Sequence, residues 1–417
     1  MAVSKELLKM VAREQRQRQL AGSTGVEREA LKAVPQPPPH TAIVISGARR
    51  CGKSTLLLQI MRKRYRQGNF AYFDFDDERV EGLEADDLQR VLEALYEEGG
   101  EPIAFFFDEI QNAPSWELFV SRLLKEGKDI YITGSNSRLL AGELGSRLTG
   151  RHLDVRLLPF SFREFLSGRG VAARQGTLTT KERSALRRAF DEYLAVGGFP
   201  RAALDSDTSL LRPLYEDILV RDIISRHRVA KVGQLRQAGR FLLSNIARLS
   251  TLRAVSEGFS MSVATAMKYL GYFEEAWLLF AVGIYSRSHK VQTRNPRKIY
   301  AVDWGLAAAN GFFQSHDIGR KLENAVAVHL LRQGKEFFYY RTSGGREVDF
   351  VACISGRPEE LVQVCADPSD SATRRREEDA ILEAKAELGV KKALVLTLDF
   401  EALGKIEYLP AWKWVLR

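Results

Sequence analysis

The residues best suited to chemistry lie together at Gly47-Ala48-Arg49-Arg50-Cys51-Gly52-Lys53-Ser54, which follows the pattern G-x-x-x-x-G-K-[ST] and continues into Thr55. Glycines in such a loop let the backbone wrap so that its N–H groups point inward at phosphate oxygens. Lys53 adds a point charge for the β and γ oxygens, and Ser54 offers a hydroxyl to a magnesium ion. A helix starting here turns its N-terminus to the same anion. The loop therefore predicts a nucleoside-triphosphate site spanning residues 47–55.

A loop of this kind needs acids across the sheet to handle the cation and the water. The apolar run 103–107 ends in Asp108-Glu109. Asp108 is the candidate to hold magnesium through water, and Glu109 the candidate general base. An aspartate without the adjacent glutamate would suit a binding switch better than a hydrolase. The run 130–133 ends in Thr133-Gly134-Ser135-Asn136, where a polar side chain can reach the lytic water or the γ-phosphate. Ser135 and Asn136 are the candidates, with Asn136 preferred. Downstream, Arg147 and Arg151 flank Leu148-Thr149-Gly150. Either arginine, presented to a neighbour's γ-phosphate, would stabilise transition-state charge.

The elements that position these residues are legible in the hydrophobic pattern. Residues 41–46 form a continuous apolar run suited to a buried parallel strand, and similar runs follow at 70–75, 103–107, 130–133 and 153–157. Helical patterns separate most of them, at 53–65, 86–96 and 116–126. Strands alternating with helices predict a doubly wound α/β sheet of about five strands. Residues 1–40 open with a basic amphipathic helix and end in a proline-rich connector at 34–40. After Pro159 the pattern turns helical, including 180–196 and 210–225, broken by Gly197-Gly198-Phe199-Pro200. Residues 320–417 return to mixed α/β.

At 417 residues, with 45% hydrophobic and 28% charged residues, the chain reads as a globular protein of several domains. No apolar run approaches the roughly 18–20 residues that span a bilayer, and the first 22 residues lack the uninterrupted apolar core of a secretory signal. Cys51, Cys353 and Cys365 are an odd set without metal-like spacing, which fits a reducing, cytoplasmic compartment. The net charge of +9 is concentrated: residues 201–300 hold 16 Lys/Arg against 8 Asp/Glu. A local excess of this kind is the footprint of a polyanion partner. Within it, residues 250–276 have helix-turn-helix proportions, with Ala254 and Gly258 at the crossing and Leu252, Val255, Val263, Met267 and Leu270 expected inward. The second helix offers one cation, Lys268, while the flanks carry Arg287, Lys290, Arg294, Arg297 and Lys298. A packing module with basic flanks and a DNA-reading module both fit.

Together, residues 47–57, Asp108-Glu109-Ile110-Gln111, residues 133–140 with Gly150-Arg151, and Pro159-Phe160-Ser161-Phe162-Arg163-Glu164-Phe165 resemble the AAA+ superfamily of P-loop ATPases. The branch is the archaeal and bacterial one that ends in a domain with a restriction-endonuclease-like fold. Val26-Glu27-Arg28-Glu29 is similar to its motif before the P-loop, which implies that Arg28 reaches the nucleotide. The resemblance further implies ATP rather than GTP, strand order 5-1-4-3-2, a helical lid, and homo-oligomeric assembly with an arginine acting in trans. It divides the chain into an N-terminal helix and linker (1–40), a P-loop core (41–158), a lid (159–230), a winged-helix-like domain (231–305) and a nuclease-like domain (306–417). In nucleases of that fold, acids matching Glu323, Glu347-Val348-Asp349 and Gln363 hold divalent cations, and a lysine matches Cys365. Here Gln363 replaces an acid and Cys365 replaces the lysine, so Glu323, Asp349 and Gln363 read as a vestigial metal site without nuclease activity. The function expected is magnesium-dependent ATP hydrolysis by a DNA-associated machine. A nucleotide-gated scaffold for protein partners and an ATP-dependent nuclease are the alternatives.

Overall fold

The computed structural model describes residues 3–65, 68–135, 150–174, 176–313 and 317–417. It divides into two compact units, 1–158 with 275–277, and 159–274 with 278–417.

The first unit is a five-stranded parallel sheet. Its strands are β1 (Ala42–Ser46), β2 (Phe70–Asp74), β3 (Ala104–Asp108), β4 (Asp129–Gly134) and β5 (His152–Arg156), in spatial order β2-β3-β4-β1-β5. The expected order 5-1-4-3-2 is the same arrangement read from the other edge. Side chains alternate across the sheet, which sorts the strand residues into two layers. Val44, Phe73, Phe105, Phe107, Ile130 and Ile132 face α1 (Lys5–Ala21), α4 (Asp87–Gly99) and α5 (Trp116–Lys125). On the other face Phe106 stacks on Tyr131 at 4.6 Å and meets Tyr65, just past α3 (Lys53–Arg64), at 5.6 Å. Helix α1 is capped by Ser4, which accepts a hydrogen bond from Leu7 N–H, and it buries Leu8, Val11, Ala12 and Gln15 at helical spacing. The basic N-terminal helix is thus part of this core.

Parallel register brings the C-terminal strand ends to one edge. Asp74 pairs with Asp108, and Ser46 pairs with Gly134. Whatever follows β1, β2, β3 and β4 in sequence must therefore meet at that edge, where ligands bind in open α/β sheets.

The second unit begins with α6 (Phe162–Gly168) and α7 (Thr180–Val196), each opened by a capping box, Ser161 with Glu164 and Thr179 with Glu182. The helix expected over 210–225 instead runs as an α-helix over Leu211–Asp217 and widens to a π-helix over Ile218–Ser225. Helix Val232–Ser244 leads into β6 (Leu249–Ser250), helices Leu252–Gly258 and Val263–Glu275, β7 (Leu279–Val282) and β8 (Arg297–Ala301). The three strands pair antiparallel in the order β6-β8-β7. Val255 and Leu270 are buried as expected, but Val263 and Met267 are 45% and 58% exposed. Ala266, Tyr269 and Phe273 take the inward stripe instead, so the helix is rotated from the expected phase and leaves an apolar strip outside. Last comes a mixed sheet of β9 (Glu336–Arg341), β10 (Glu347–Ile354), β11 (Arg357–Val364), β12 (Lys392–Thr397) and β13 (Glu407–Pro410), covered by helices Ile318–Arg332 and Ser371–Leu388. Its β9, β10 and β11 are antiparallel, while β11, β12 and β13 are parallel.

Among the described residues, no helix is long and apolar enough to cross a membrane.

Candidate nucleotide site and C-terminal acid cluster

The loop from Gly47 to Ser54 links β1 to α3. A Cβ on Gly47 would lie 2.1 Å from the Leu157 carbonyl oxygen, so only glycine fits there. Gly52, with φ of 103°, supplies the left-handed turn into α3. Cys51 is fully buried and donates through Sγ to the Leu157 carbonyl at 3.4 Å. Its role here is packing, and burial raises its thiol pKa above the ordinary range.

Lys53 is 4% exposed. Its ammonium donates to the Gly47 and Ala48 carbonyls at 3.2 and 3.3 Å and pairs with Glu109 Oε1 at 3.0 Å. Burial is the largest single effect and lowers the Lys53 pKa, but the charge and hydrogen bond of Glu109, with Cys51 and Asp108, together hold it above its usual value. The converse holds for Glu109, where burial opposes the charge and Lys53 with Gln111 keeps the carboxyl below the ordinary range. Glu109 Oε2 accepts from Gln111 Nε2 at 2.5 Å and from Ser135 N–H at 3.2 Å. Its backbone lies at φ 48°, a costly region for a glutamate, and its N–H donates to Thr133 Oγ1 at 2.9 Å.

Asp108 is 1% exposed. It accepts from the hydroxyls of Ser54, Thr133 and Tyr72, the last at 2.9 Å. Burial, followed by the Glu109 charge, raises its pKa. The contact of Ser54 with Asp108 is the arrangement a magnesium site needs, a hydroxyl and a carboxylate side by side next to the loop, so these residues fit the ion.

Several residues here were not singled out from sequence. Tyr72 and Thr133 hold Asp108, and Asp74, register partner of Asp108, is pushed up to about 7 by burial and by the Asp108 charge. Gln15 of α1 receives the Asp74 N–H at 2.9 Å and donates to its carbonyl at 3.1 Å. The strand pattern could have flagged Asp74, because it ends a run as Asp108 does. Gln15 carries no local signal.

Arg28 sits against the phosphate loop. It is 1% exposed, and its guanidinium donates to the carbonyls of Cys51 at 2.7 Å and Leu158 at 2.6 Å. It ties the phosphate loop to the segment just after β5, because a guanidinium committed to buried carbonyls is held by them. Arg49 reaches Asp76 at 3.4 Å, and Arg50 takes φ of 61° within the loop. Arg151 is exposed and precedes β5, where its carbonyl accepts from Ala42 N–H at 2.9 Å. That is the N-terminal edge of the sheet, so Arg151 cannot serve the phosphate loop of its own subunit. Asn136 and Arg147 lie outside the described residues.

The C-terminal acids come together differently from the expected metal site. Lys298 of β8, 3% exposed, places Nζ 2.9 Å from Glu323, 2.8 Å from Glu347 and 2.8 Å from Asp349. Tyr300 donates to Glu323 at 2.7 Å. Burial and the Asp349 charge push Glu323 up to about 7. Gln363 is no ligand: its Oε1 accepts from Asp349 N–H at 3.1 Å and its Nε2 donates to Glu377 at 2.6 Å. Cys365 packs in the core with Val348, Ile381 and Val395. Among the described residues, no group of three or more His, Cys, Asp or Glu is disposed to hold a metal ion. These residues do not fit the expected metal, because an ammonium already satisfies the carboxylates.

Comparison with known proteins places this geometry. Residues 39–166 match the family described as AAA domain, residues 187–316 a domain of unknown function, DUF8612, and residues 318–414 another, DUF4143. Domain III of the Thermotoga maritima replication initiation protein DnaA is 17% identical over 42% of this chain and 85% of its own, with a TM-score of 0.27. AMPPCP-bound DnaA from Aquifex aeolicus is 15% identical over 63% and 86%, with a TM-score of 0.24. Similarities at that level carry no functional argument. An uncharacterized protein of Haemophilus influenzae is 32% identical over 330 residues, 74% of this chain and 78% of its own. The uncharacterized protein MJ1544 of Methanocaldococcus jannaschii is 31% identical over 404 residues, 91% of this chain and 89% of its own. The chain belongs to the family of MJ1544, and its residues 39–166 are a nucleotide-binding AAA domain of the P-loop AAA+ kind.

Proposed function

We propose that the AAA domain binds ATP with magnesium and hydrolyses it, and that the second unit passes the nucleotide-dependent change to DNA. The convergence of Lys53, Ser54, Asp108 and Glu109 at one sheet edge carries this reading. Bound magnesium supplies neutralisation of the charge that develops on the transferred phosphoryl group. Ser54 is assigned to hold the ion directly and Asp108 through water. Lys53 is assigned to the β and γ oxygens, and in taking them it relinquishes Glu109. Without its ammonium partner the Glu109 carboxylate binds a proton more readily, which is what a general base requires. Gln111 and the Ser135 N–H keep that carboxylate aimed, while the Thr133 hydroxyl holds the Glu109 backbone. Arg147 and Arg151 are assigned to a neighbouring copy's γ-phosphate in a homo-oligomer, and Asn136 to the lytic water.

The DNA reading is supported by the order helix, strand, helix, helix, strand, strand over 232–301, similar to a winged helix, with 283–296 as a wing that carries the added short helix His289–Arg294 between its strands. Residues 283–302 contain no acid. Arg287, Lys290, Arg294 and Arg297 are exposed, and none is paired with a carboxylate among the described residues. The cations sit on the wing, while the second helix offers Lys268 beside apolar Val263 and Met267. This favours backbone contact over base readout. The same apolar strip favours a second reading, a protein partner on that helix.

Two measurements test the proposal. Purified chain should hydrolyse ATP with magnesium and stop when the metal is chelated; no turnover contradicts the enzymatic part. Affinity for duplex DNA should fall steeply between low and high salt, whereas a flat response would favour the protein-partner reading.

A further inference from the structure

The C-terminal cluster has an unusual charge balance. One ammonium, Lys298, meets three carboxylates, Glu323, Glu347 and Asp349, at 2.8–2.9 Å. An ammonium has three donors, and here each finds a carboxylate, so its hydrogen-bonding capacity is filled. The neighbours are committed too: the other Asp349 oxygen accepts from Val364 N–H at 3.0 Å, and Tyr300 donates to Glu323. A buried ion pair needs a single acid, and each further buried carboxylate is costly unless a cation repays it. Glu347 is partly exposed and also pairs with Arg341 at 3.6 Å, but the two more deeply buried acids, Glu323 and Asp349, are already more than one lysine requires.

We propose that Lys298 is the resident cation of this cluster, standing where the fold's resemblance would put a divalent metal, so that the domain retains the acids but is closed to metal. The inference rests on the side-chain geometry of this domain and not on the ATPase or DNA readings. It accounts for both departures in the sequence. With an internal ammonium in place, the position at Gln363 need not be an acid, and its amide instead bridges the Asp349 backbone to Glu377. The position at Cys365 need not carry a charge and joins the core. The lysine enters from β8, a strand outside the five-stranded sheet that holds Glu347 and Asp349, which is why reading the acids alone did not find it.

The test is manganese binding by the full chain without nucleotide, followed by the electron paramagnetic resonance of the free ion, in wild type, Asp349→Asn and Lys298→Met. Wild type and Asp349→Asn should bind equally little. One manganese held by wild type and lost in Asp349→Asn would overturn the proposal. Lys298→Met should lose roughly 10 °C of Tm, because its removal leaves buried carboxylates unpaired, and added manganese should restore part of that loss. A Lys298→Met protein as stable as wild type and indifferent to manganese would overturn the proposal. If Lys298→Met does not fold, the comparison of wild type with Asp349→Asn decides. Manganese-dependent plasmid nicking by wild type that vanishes in Lys298→Met would make the ammonium a catalytic group and would also overturn it.

Discussion

At the scale of single residues, the site depends on a few hydroxyls and charges whose partners are now explicit. Thr133 serves both acids, donating to Asp108 and accepting from the Glu109 N–H. Thr133→Val keeps the shape and removes both contacts, so turnover should fall about 10- to 100-fold through misplacement of the acids, with little change in fold by circular dichroism; unchanged turnover would show that the hydroxyl is dispensable. Asp74 gives a pH signature. Its folded pKa of about 7 lies above the roughly 3.9 of an unfolded aspartate. Its contribution to stability is therefore complete below about pH 4 and is lost as pH rises through 7. Asp74→Asn cannot ionise, so its Tm relative to wild type should climb between pH 5 and pH 8; a constant difference across that range would contradict the assignment. Motif spacing marks Lys53, Asp108 and Glu109 in the sequence. It says nothing about the carbonyls of Cys51 and Leu158 that hold the Arg28 guanidinium.

At the scale of elements, the apolar runs placed β1 to β4 closely because fully buried strands must be apolar on both faces, whereas the edge strand β5 is largely exposed. The phase of helix Val263–Glu275 was not legible in the same way. Val263 and Met267 fit an inward stripe with Leu270 as well as Ala266, Tyr269 and Phe273 do, and packing kept Leu270 but chose the larger aromatic surface over Val263 and Met267. On the proposed DNA reading, the cations for a polyanion must then come from Arg287, Lys290, Arg294 and Arg297. Neutralising one of them, as in Arg294→Gln, should lower the slope of log affinity against log salt by about 0.9, weakening binding to all sequences alike. An unaltered slope would remove Arg294 from the interface. Helix α1 shows the limit from another side: its amphipathic pattern predicted a helix, but only the tertiary fold reveals that Gln15 clasps the end of β2 beside the acids.

At the scale of the whole molecule, the chain joins an AAA domain to two domains of unknown function in a family shared with MJ1544. The division of labour follows from where chemistry is poised. In the AAA domain a lysine and a glutamate are paired beside a phosphate loop, an ion pair that a triphosphate can exchange. In the C-terminal domain a lysine is saturated by three acids. The central claim is that Glu109 is the base of an ATPase. Glu109→Gln preserves the shape of the side chain and removes its basicity, so it should bind ATP with affinity close to wild type while magnesium-dependent hydrolysis falls at least 100-fold. Hydrolysis at the wild-type rate by a variant that still binds ATP would contradict the account.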